Sequence, residues 1–364
     1  MCICHVRQHA VVERTVRNLP LTPLDSRKQS ILKAVVTDYV RTAEPVGSRA
    51  LVDRYHFGVR SATIRNEMAE LSEMGYLRQP HTSAGRIPSD LGYRFYVDRL
   101  MDQAAISSDE AATVRNSLMR RAEMDFILHE TCRILSGLAR YTSLATHPTV
   151  KDAVVRHIAL TSIGQRKFLA VLVLDDGGVI HEIFELSHGS GKIDPVRATN
   201  FLAQRLVGKT LSSLNADNSE LSNEAPGMEE LLSKVREFVK RELEAAEETD
   251  VHLEGTSYIM QQPEFQDVSR LETVLSALEE RRALYKLFSS VYLGPGVTVI
   301  IGAENPVDAM HECSFVGAKY RIGDRVAGTI GVVGPTRMDY RRAVAAVEFM
   351  ARNLEQLLEE LRVA

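Results

Sequence analysis

The residues best suited to chemistry lie in the stretch 59–77 (VRSATIRNEMAELSEMGYL), which contains a predicted helix with two different faces. At about 100° per residue, the apolar side chains of Ile64, Met68 and Leu71 share one narrow sector. This sector is suited to a protein core. The other side of the helix is small, polar and cationic, and carries Ala62, Thr63, Arg65, Asn66 and Ala69.

Such a face matches what a DNA major groove requires of an entering helix, namely short side chains or side chains that bond to base edges. Thr63 can contact a thymine methyl group, and Asn66 can pair with adenine through two hydrogen bonds. Arg65 can pair with guanine or with a phosphate. Since a lone amphipathic helix is more often an ordinary solvated helix, the neighbouring elements must decide between the two interpretations.

Two helices are predicted before this one. Helical signals begin at Asp25, which is a suitable N-cap, and end at the TAEPVG segment. Ser48 is predicted to cap a short second helix that continues through Arg54. Ser61 is predicted to cap the third helix, which stops at Gly75.

A hairpin and a fourth helix are predicted after it. The segment YLRQPHTSAGRIPS indicates two short strands around a flexible tip, and SDLGYRFYVDRLM indicates a helix. Three helices followed by a hairpin is the order of a winged helix-turn-helix, in which the hairpin forms the wing. Helix N-termini bind phosphate, and basic side chains beside them add charge. The predicted DNA-binding residues are Ser48, Arg49, Arg60, Ser61, Thr63, Arg65, Asn66, His81, Thr82 and Arg86.

The charge distribution agrees with a polyanion partner for the first part of the chain. Residues 1–100 carry 15 Lys and Arg against 10 Asp and Glu, whereas the whole chain of 364 residues has a net charge of −4. A basic N-terminal segment on an otherwise acidic chain suggests that only this segment binds nucleic acid. Four cysteines do not make a disulfide framework, and no apolar run approaches the roughly 20 residues of a membrane span. We therefore expect a cytoplasmic protein with no membrane contact.

The remainder of the chain predicts an α+β fold with an interruption. Strand signals appear in HIALTSI, KFLAVLVL and VIHEIFEL, a helical region follows, and strands return in VTVIIG, CSFVGAKY and RVAGTIGVVG. The expected division is a flexible N-terminal extension at 1–23, a winged-helix domain at 24–104, an α+β domain at 105–188 and 296–364, and an inserted, mainly helical domain at 189–295.

Two apolar seams leave alternatives open. The terminal helix has a heptad pattern that predicts either packing on the sheet or self-association, with equal weight. Its residues are Tyr340, Ala343, Val347, Met350, Leu354, Leu357 and Leu361. The insertion offers a second seam at Leu271, Leu275, Leu278 and Tyr285.

Other motifs do not satisfy the spacing that their chemistry needs. SHGSGK lacks the first glycine and the final Ser or Thr of a phosphate loop, and CICH lacks a second ligand pair for zinc. His311 and Cys313 are too close in sequence to form a nucleophile pair, so Cys313 is expected to be buried. The sequence therefore predicts no enzyme, no catalytic residue, no metal site and no cofactor.

Three segments carry a family resemblance: LDSRKQSILKAVVTDYVRTAEPVGSRAL, VRSATIRNEMAELSEMGYLRQPHTSAGRIPSDLGYRFYVDRLM and RVAGTIGVVGPTRMDY. They closely resemble the HrcA family of bacterial heat-inducible transcription repressors, and the similarity runs from Leu24 to the C-terminus. The segment before Leu24 departs from the family pattern. The resemblance implies a winged-helix domain, a GAF-like domain and an inserted dimerising domain.

The resemblance also implies a function. A homodimer would repress chaperone and chaperonin operons through an inverted repeat, the CIRCE element, and its activity would depend on a chaperonin of the GroE class. It assigns DNA contacts to the third helix (Ser61, Thr63, Arg65, Asn66), to the start of the second (Ser48, Arg49) and to the wing (His81, Thr82, Arg86). The alternative is a ligand-sensing winged-helix regulator whose GAF-like domain binds a metabolite.

Overall fold

The computed structural model of the chain describes most of its residues. These are 24–81, 84–111, 114, 124–148, 153–175, 178–187, 193–216, 226–245, 251–280, 284, 287–288, 296–323 and 325–363. The predicted extension at 1–23 lies outside them. None of the described helices is long and apolar enough to cross a membrane.

Three helices open the described chain: α1 (Ser26–Thr42), α2 (Ser48–Arg54) and α3 (Ser61–Glu73). Asp25 is the N-cap of α1, as predicted, and its side chain accepts a hydrogen bond from the backbone N–H of Lys28. Helix α3 ends one residue before Met74, and Gly75 follows with a φ of 83°. A left-handed residue at this position favours glycine, which explains why the helix stops there.

The wing and a fourth helix follow. Strands β1 (Leu77–Arg78) and β2 (Ile87–Pro88) pair antiparallel, and α4 (Asp90–Phe95) continues into one π-helical turn (Tyr96–Leu100). The order of three helices, hairpin and helix confirms the winged helix-turn-helix predicted from the sequence.

The body of the protein is built on a five-stranded antiparallel sheet. Its strands are β3 (Thr142–Thr146), β7 (Val251–Glu254), β8 (Val297–Ile301), β9 (Cys313–Ile322) and β10 (Arg325–Pro335). Their spatial order is β7-β3-β10-β9-β8. Counted within this domain alone, the order is 2-1-5-4-3, which is the order of a GAF-like sheet.

Helices cover both faces of this sheet. On one face lie α5 (Met124–Ala139) and the terminal α11 (Tyr340–Val363), and on the other α9 (Ser257–Met260) and α10 (Val268–Glu279). Neighbouring residues of β3 point to opposite faces, as strand geometry requires, so that Ala145 belongs to the first core and Leu144 to the second. The sheet is therefore a buried central layer.

A second sheet forms the centre of an insertion between β3 and β7. It consists of β4 (Val155–Ser162), β5 (Lys167–Leu174) and β6 (Val179–Glu185), in the order β4-β5-β6. Three helices share its hydrophobic core: α6 (Pro195–Leu206), α7 (Leu211–Ala216) and α8 (Pro226–Ala245).

The placement of these strands differs from the division expected from the sequence. That division assigned residues 105–188 to the α+β domain, but β4, β5 and β6 pair only with one another among the described strands. It also assigned residues 251–280 to the insertion, but β7 joins the five-stranded sheet, and α9 and α10 pack against it. Apolar alternation identifies a strand and leaves its neighbours undetermined, which accounts for the difference.

The two apolar seams pack largely within the chain. Tyr340, Ala343, Val347, Met350 and Leu354 of α11 are at most 1% exposed in the core that α11 forms with the sheet, while Leu361 is 38% exposed. In the second seam Leu278 is buried and Leu271 packs partly buried on the core of the opposite face. Tyr285 lies outside the described residues.

Candidate nucleic-acid interface

Helix α3 has the two faces that the sequence predicts. Ile64, Met68 and Leu71 are no more than 3% exposed and anchor the helix in the core of the winged-helix domain. On the other side Arg65 and Asn66 are exposed, and the remaining small residues there are exposed or half-buried, namely Ala62, Thr63 and Ala69. Within the described part of the chain, this face of small, polar and cationic side chains is not buried.

An ion-pair cluster fixes how α3 lies against α1. Glu67 is 7% exposed, and its carboxylate lies 2.9 Å from Nε of Arg27 and 3.0 Å from Nζ of Lys28. Nζ of Lys28 also lies 2.9 Å from the carboxylate of Glu70. Hydrogen bonds to Glu70 and Glu67 raise the pKa of Lys28, so the amine stays charged. These contacts hold α3 against the start of α1, while Arg65 and Asn66 remain exposed.

Ser48 and Ser61 do not cap their helices as the sequence predicts. The N-caps of α2 and α3 are Gly47 and Arg60, and neither forms a side-chain capping hydrogen bond. The hydroxyls of Ser48 and Ser61 instead hydrogen-bond to each other at 3.0 Å, and Ser48 is buried. The physical reason is tertiary, since the first turns of α2 and α3 meet and each hydroxyl finds the other. The pair therefore holds the two helix N-termini together.

Three arginines stand on the exposed side of these helix starts. Arg49 lies in the first turn of α2, Arg60 precedes α3, and Arg65 lies in its second turn; all three are exposed. Within the described residues, none of their guanidinium groups takes part in an ion pair. Cationic groups beside free helical N–H groups form a surface that attracts phosphate.

The wing contains a third extended segment that the sequence analysis did not predict. The N–H and C=O groups of Val46 exchange hydrogen bonds of 2.9 Å with those of Arg86. This approach requires glycine at position 85, because a Cβ there would lie 2.4 Å from the carbonyl oxygen of Val46. The only sequence signal was Pro45, which favours extended backbone around it.

The predicted wing residues differ in their exposure to solvent. His81 is exposed and Arg86 is half-buried beside β2. Thr82 lies outside the described residues. The side-chain amide of Gln79 donates to the carbonyl of Ala84 at 3.1 Å, which ties the two arms of the hairpin together below its tip.

A buried arginine joins the winged-helix domain to the body. Arg94 of α4 is 3% exposed, and its guanidinium pairs with the carboxylate of Glu304 and, at 3.2 Å, with Asp98. Its Nη2 also donates to the carbonyl oxygen of Val299 at 2.6 Å. The sequence analysis missed this group, because Glu304 is 210 positions away and no local pattern connects the two.

A second arginine, which belongs to the GAF-like domain, also joins this domain to the winged-helix domain. Nε of Arg337 lies 2.5 Å from the carboxylate of Glu264, and Nη1 donates to the carbonyl oxygen of Val40 at 2.6 Å. Since Val40 belongs to α1, this contact fastens the last turns of α1 to the GAF-like domain. Because α3 is ion-paired with α1, this contact also fixes the orientation of α3 relative to the body of the protein.

A cleft lies beside this junction. Its volume is about 870 Å³, and it is lined by α1, by the segment at 55–57 and by the start of α11. Lys33, Arg41 and Arg341 contribute charge, and Tyr96 and Tyr141 contribute aromatic surface. The cleft thus lies between the winged-helix domain and the GAF-like domain.

The two described cysteines are chemically inert. Cys132 and Cys313 are buried, and burial raises the pKa of each thiol to about 12. Because the thiolate is the nucleophile, neither residue is reactive near neutral pH. Buried Cys313 agrees with the expectation from the sequence.

Comparison with known proteins identifies relatives over nearly the whole chain. Residues 125–344 match the family model described as the HrcA protein C terminal domain. Two proteins named heat-inducible transcription repressor HrcA, from Desulforamulus reducens and Moorella thermoacetica, are 38% and 39% identical to this chain. Each alignment covers 93% of this chain, and 98% and 99% of the respective relative.

One solved structure supports the fold. A crystal structure described as that of a hypothetical protein superposes with a TM-score of 0.63 at 21% identity, over 93% of this chain and 100% of the other. The near-complete alignments and the family match agree with the winged-helix and GAF-like architecture. This chain belongs to the HrcA family of heat-inducible transcription repressors.

Proposed function

We propose that this repressor binds double-stranded DNA with α3 in the major groove. The main support is one exposed face of α3, which carries small, polar and cationic side chains. The opposite face of the same helix is fully buried. The major groove is about as wide as such a helix, and side chains larger than these would hold it away from the base edges.

The residues have distinct roles in this arrangement. Arg65 and Asn66 read base edges, and Thr63 contacts an apolar group such as a thymine methyl. Arg49 and Arg60 neutralise phosphates beside the N-termini of α2 and α3, which the Ser48–Ser61 pair holds side by side. His81, Thr82 and Arg86 contact the neighbouring backbone or groove as the wing.

We further propose that two copies bind an inverted repeat, the CIRCE element. A two-fold axis of the protein would then match the two-fold symmetry of the operator, with one α3 per half-site. The inserted domain supports self-association through the outer face of its sheet. Val179 and Ile183 of β6 are 57% and 56% exposed there, beside the half-buried Leu169, Val171 and Val173 of β5. A second copy would cover this apolar face.

The family membership supports a cytoplasmic role in the heat-shock response. In this role the protein represses chaperone and chaperonin operons, loses activity on heating, and depends for its activity on a chaperonin of the GroE class. We assign it no catalytic activity.

Fluorescence anisotropy with a labelled inverted-repeat duplex tests this function. We expect nanomolar binding that is lost with a duplex of scrambled half-sites, and recovery of active repressor after heating only when chaperonin and ATP are present. Sedimentation of the complex should give two chains per duplex. Equal affinity for the scrambled duplex would contradict sequence-specific repression.

The cleft between the domains favours a second function, that of a ligand-sensing regulator. A metabolite bound there would contact α1 and the start of α11, and would alter the angle at which α3 is presented. Native mass spectrometry of the purified protein tests this alternative. A stoichiometric small molecule whose removal changes DNA affinity would support it.

A further inference from the structure

Three metal-ligating side chains meet at one edge of the GAF-like domain. The Nε2 atoms of His147 and His252 are 2.8 Å apart. Oδ1 of Asp125 lies 3.0 Å from Nε2 of His147 and 3.7 Å from Nε2 of His252. Asp125 opens α5, His147 follows β3, and His252 lies in β7, so three separate elements deliver one ligand atom each.

The fold holds these atoms together by backbone pairing. His252 pairs with Ala145 across β3 and β7, which places it next to the end of β3 and to His147. A second pair lies one helical turn further along α5, where Nδ1 of His129 is 3.1 Å from the carboxylate of Glu254. Helix α5 is thus fixed against β7 at two successive points.

The hydrogen bonds among these three ligand atoms compete with one another. A neutral imidazole nitrogen is either a donor or an acceptor, and Nε2 of His147 faces both a carboxylate and another imidazole nitrogen. If it donates, its single N–H is shared between the lone pair of His252 and the carboxylate of Asp125. If it accepts from His252, its lone pair is close to the negative carboxylate. A cation between the three atoms accepts a lone pair from each of them.

The spacing of the atoms fits such a cation. In a tetrahedral zinc site the bonds are about 2.0–2.2 Å long, which separates adjacent ligand atoms by about 3.3 Å. The three observed separations lie on both sides of that value, and a point about 2 Å from all three atoms exists. Imidazole and carboxylate together suit divalent transition metals.

We propose that Asp125, His147 and His252 bind a divalent transition metal ion such as Zn²⁺. The side chains of Asp125, His147 and His252 are 69%, 29% and 24% exposed, so water reaches the site and completes the coordination. The ion enters from solvent and requires no partner chain.

The position of the site gives the ion a structural role. At His147 the chain leaves the five-stranded sheet for the insertion, and just before His252 it returns. Asp125 stands at the start of the first helix that packs on the sheet. The bound ion therefore links α5 to both connections of the inserted domain, and stabilises the folded form that contains this junction.

Titration of the chelator-treated, full-length protein with Co²⁺ tests the proposal. We expect one Co²⁺ per chain with the visible d–d absorption of a four-coordinate site, displaced by Zn²⁺. Nitrogen and oxygen ligands give no thiolate charge-transfer band in the near ultraviolet. Such a band would place the metal on Cys2 and Cys4 and would overturn the assignment, as would the absence of any cobalt spectrum.

Variants locate the ion. His147→Ala and Asp125→Asn should each weaken Co²⁺ binding by at least about tenfold. The matched control is His157→Ala, an exposed histidine of β4 in the inserted domain. Zn²⁺ should raise the Tm of the wild type and of the control, but not that of His147→Ala. Asp125 is largely exposed, so Asp125→Asn keeps the test valid if the histidine variant does not fold. Undiminished binding in Asp125→Asn and His147→Ala would refute the site.

Discussion

Arg49, Arg60 and Arg65 on the outer side of the winged-helix domain contrast with Arg94 on its inner side. The three outer guanidinium groups are exposed and make no ion pair within the described residues. Arg94 is buried, with two carboxylates and a backbone carbonyl around it. The same residue type is therefore exposed on one side of the domain, and buried and ion-paired on the other.

This difference in burial indicates that the outer arginines are available for binding, whereas Arg94 contributes to stability. A buried charge that loses its partner is strongly destabilising, whereas an exposed cation contributes little to folding. The outer arginines are thus available to a polyanion, and their replacement should leave the fold intact. Replacement at the inner site should instead loosen the winged-helix domain from the body.

The largest effect is expected at the inner site. Glu304→Ala removes the carboxylate opposite Arg94 and should lower the free energy of unfolding by about 3–5 kcal/mol, because a buried cation loses its main partner. Glu304 also accepts a hydrogen bond from the backbone N–H of Ile301, which is lost in the same variant. Chemical denaturation followed by circular dichroism measures the change.

Glu44→Ala is the matched control for this prediction. Glu44 is an exposed glutamate in the turn after α1, and its replacement should change the free energy of unfolding by less than about 0.5 kcal/mol. Equal stability of the two variants would remove the proposed contrast between inner and outer charges.

A smaller effect, confined to DNA binding, is expected on the outer side. Arg65→Ala and Asn66→Ala should each weaken operator binding by about 1–3 kcal/mol, since each removes contacts to base edges. Both variants should keep the Tm of the wild type, because neither side chain is buried. Anisotropy titration and thermal unfolding of the same preparations measure both quantities.

The control for these variants is a set of duplexes with single base changes. A variant that has lost a base contact should no longer discriminate at the base pair concerned, while discrimination elsewhere is retained. Wild-type operator affinity in both Arg65→Ala and Asn66→Ala would exclude α3 as the recognition helix.

The outer face of α3 could be predicted from the sequence because it is a local property. Its residues are related by the helical repeat, and the buried triplet Ile64, Met68 and Leu71 fixes the orientation. The capping roles of Ser48 and Ser61 were wrong because their hydroxyls meet across two helices. That contact depends on packing, which the sequence pattern does not contain.

The contacts of Arg94 and the proposed metal site could not be predicted for a related reason. Arg94 and Glu304 come together only when β8 is placed beside α4, and Asp125, His147 and His252 come from three elements of one sheet domain. Sequence alternation identified β4 to β6 as strands and left their partners open, so the border of the insertion was misplaced. The Arg94–Glu304 pair, the group of three ligand atoms and the border of the insertion all depend on contacts between residues far apart in the sequence.

The smallest expected effect concerns a single phosphate contact on the outer side. Arg49→Ala should reduce the slope of log affinity against log salt concentration by about 0.9, because one fewer counterion is released when the protein binds B-DNA. Arg99→Ala is the matched control, since Arg99 is also exposed but follows α4 beside Asp98, near the body. Its slope should equal that of the wild type. If Arg49→Ala also keeps the wild-type slope, the N-terminus of α2 does not contact the DNA backbone, and the proposed docking must be rotated about α3.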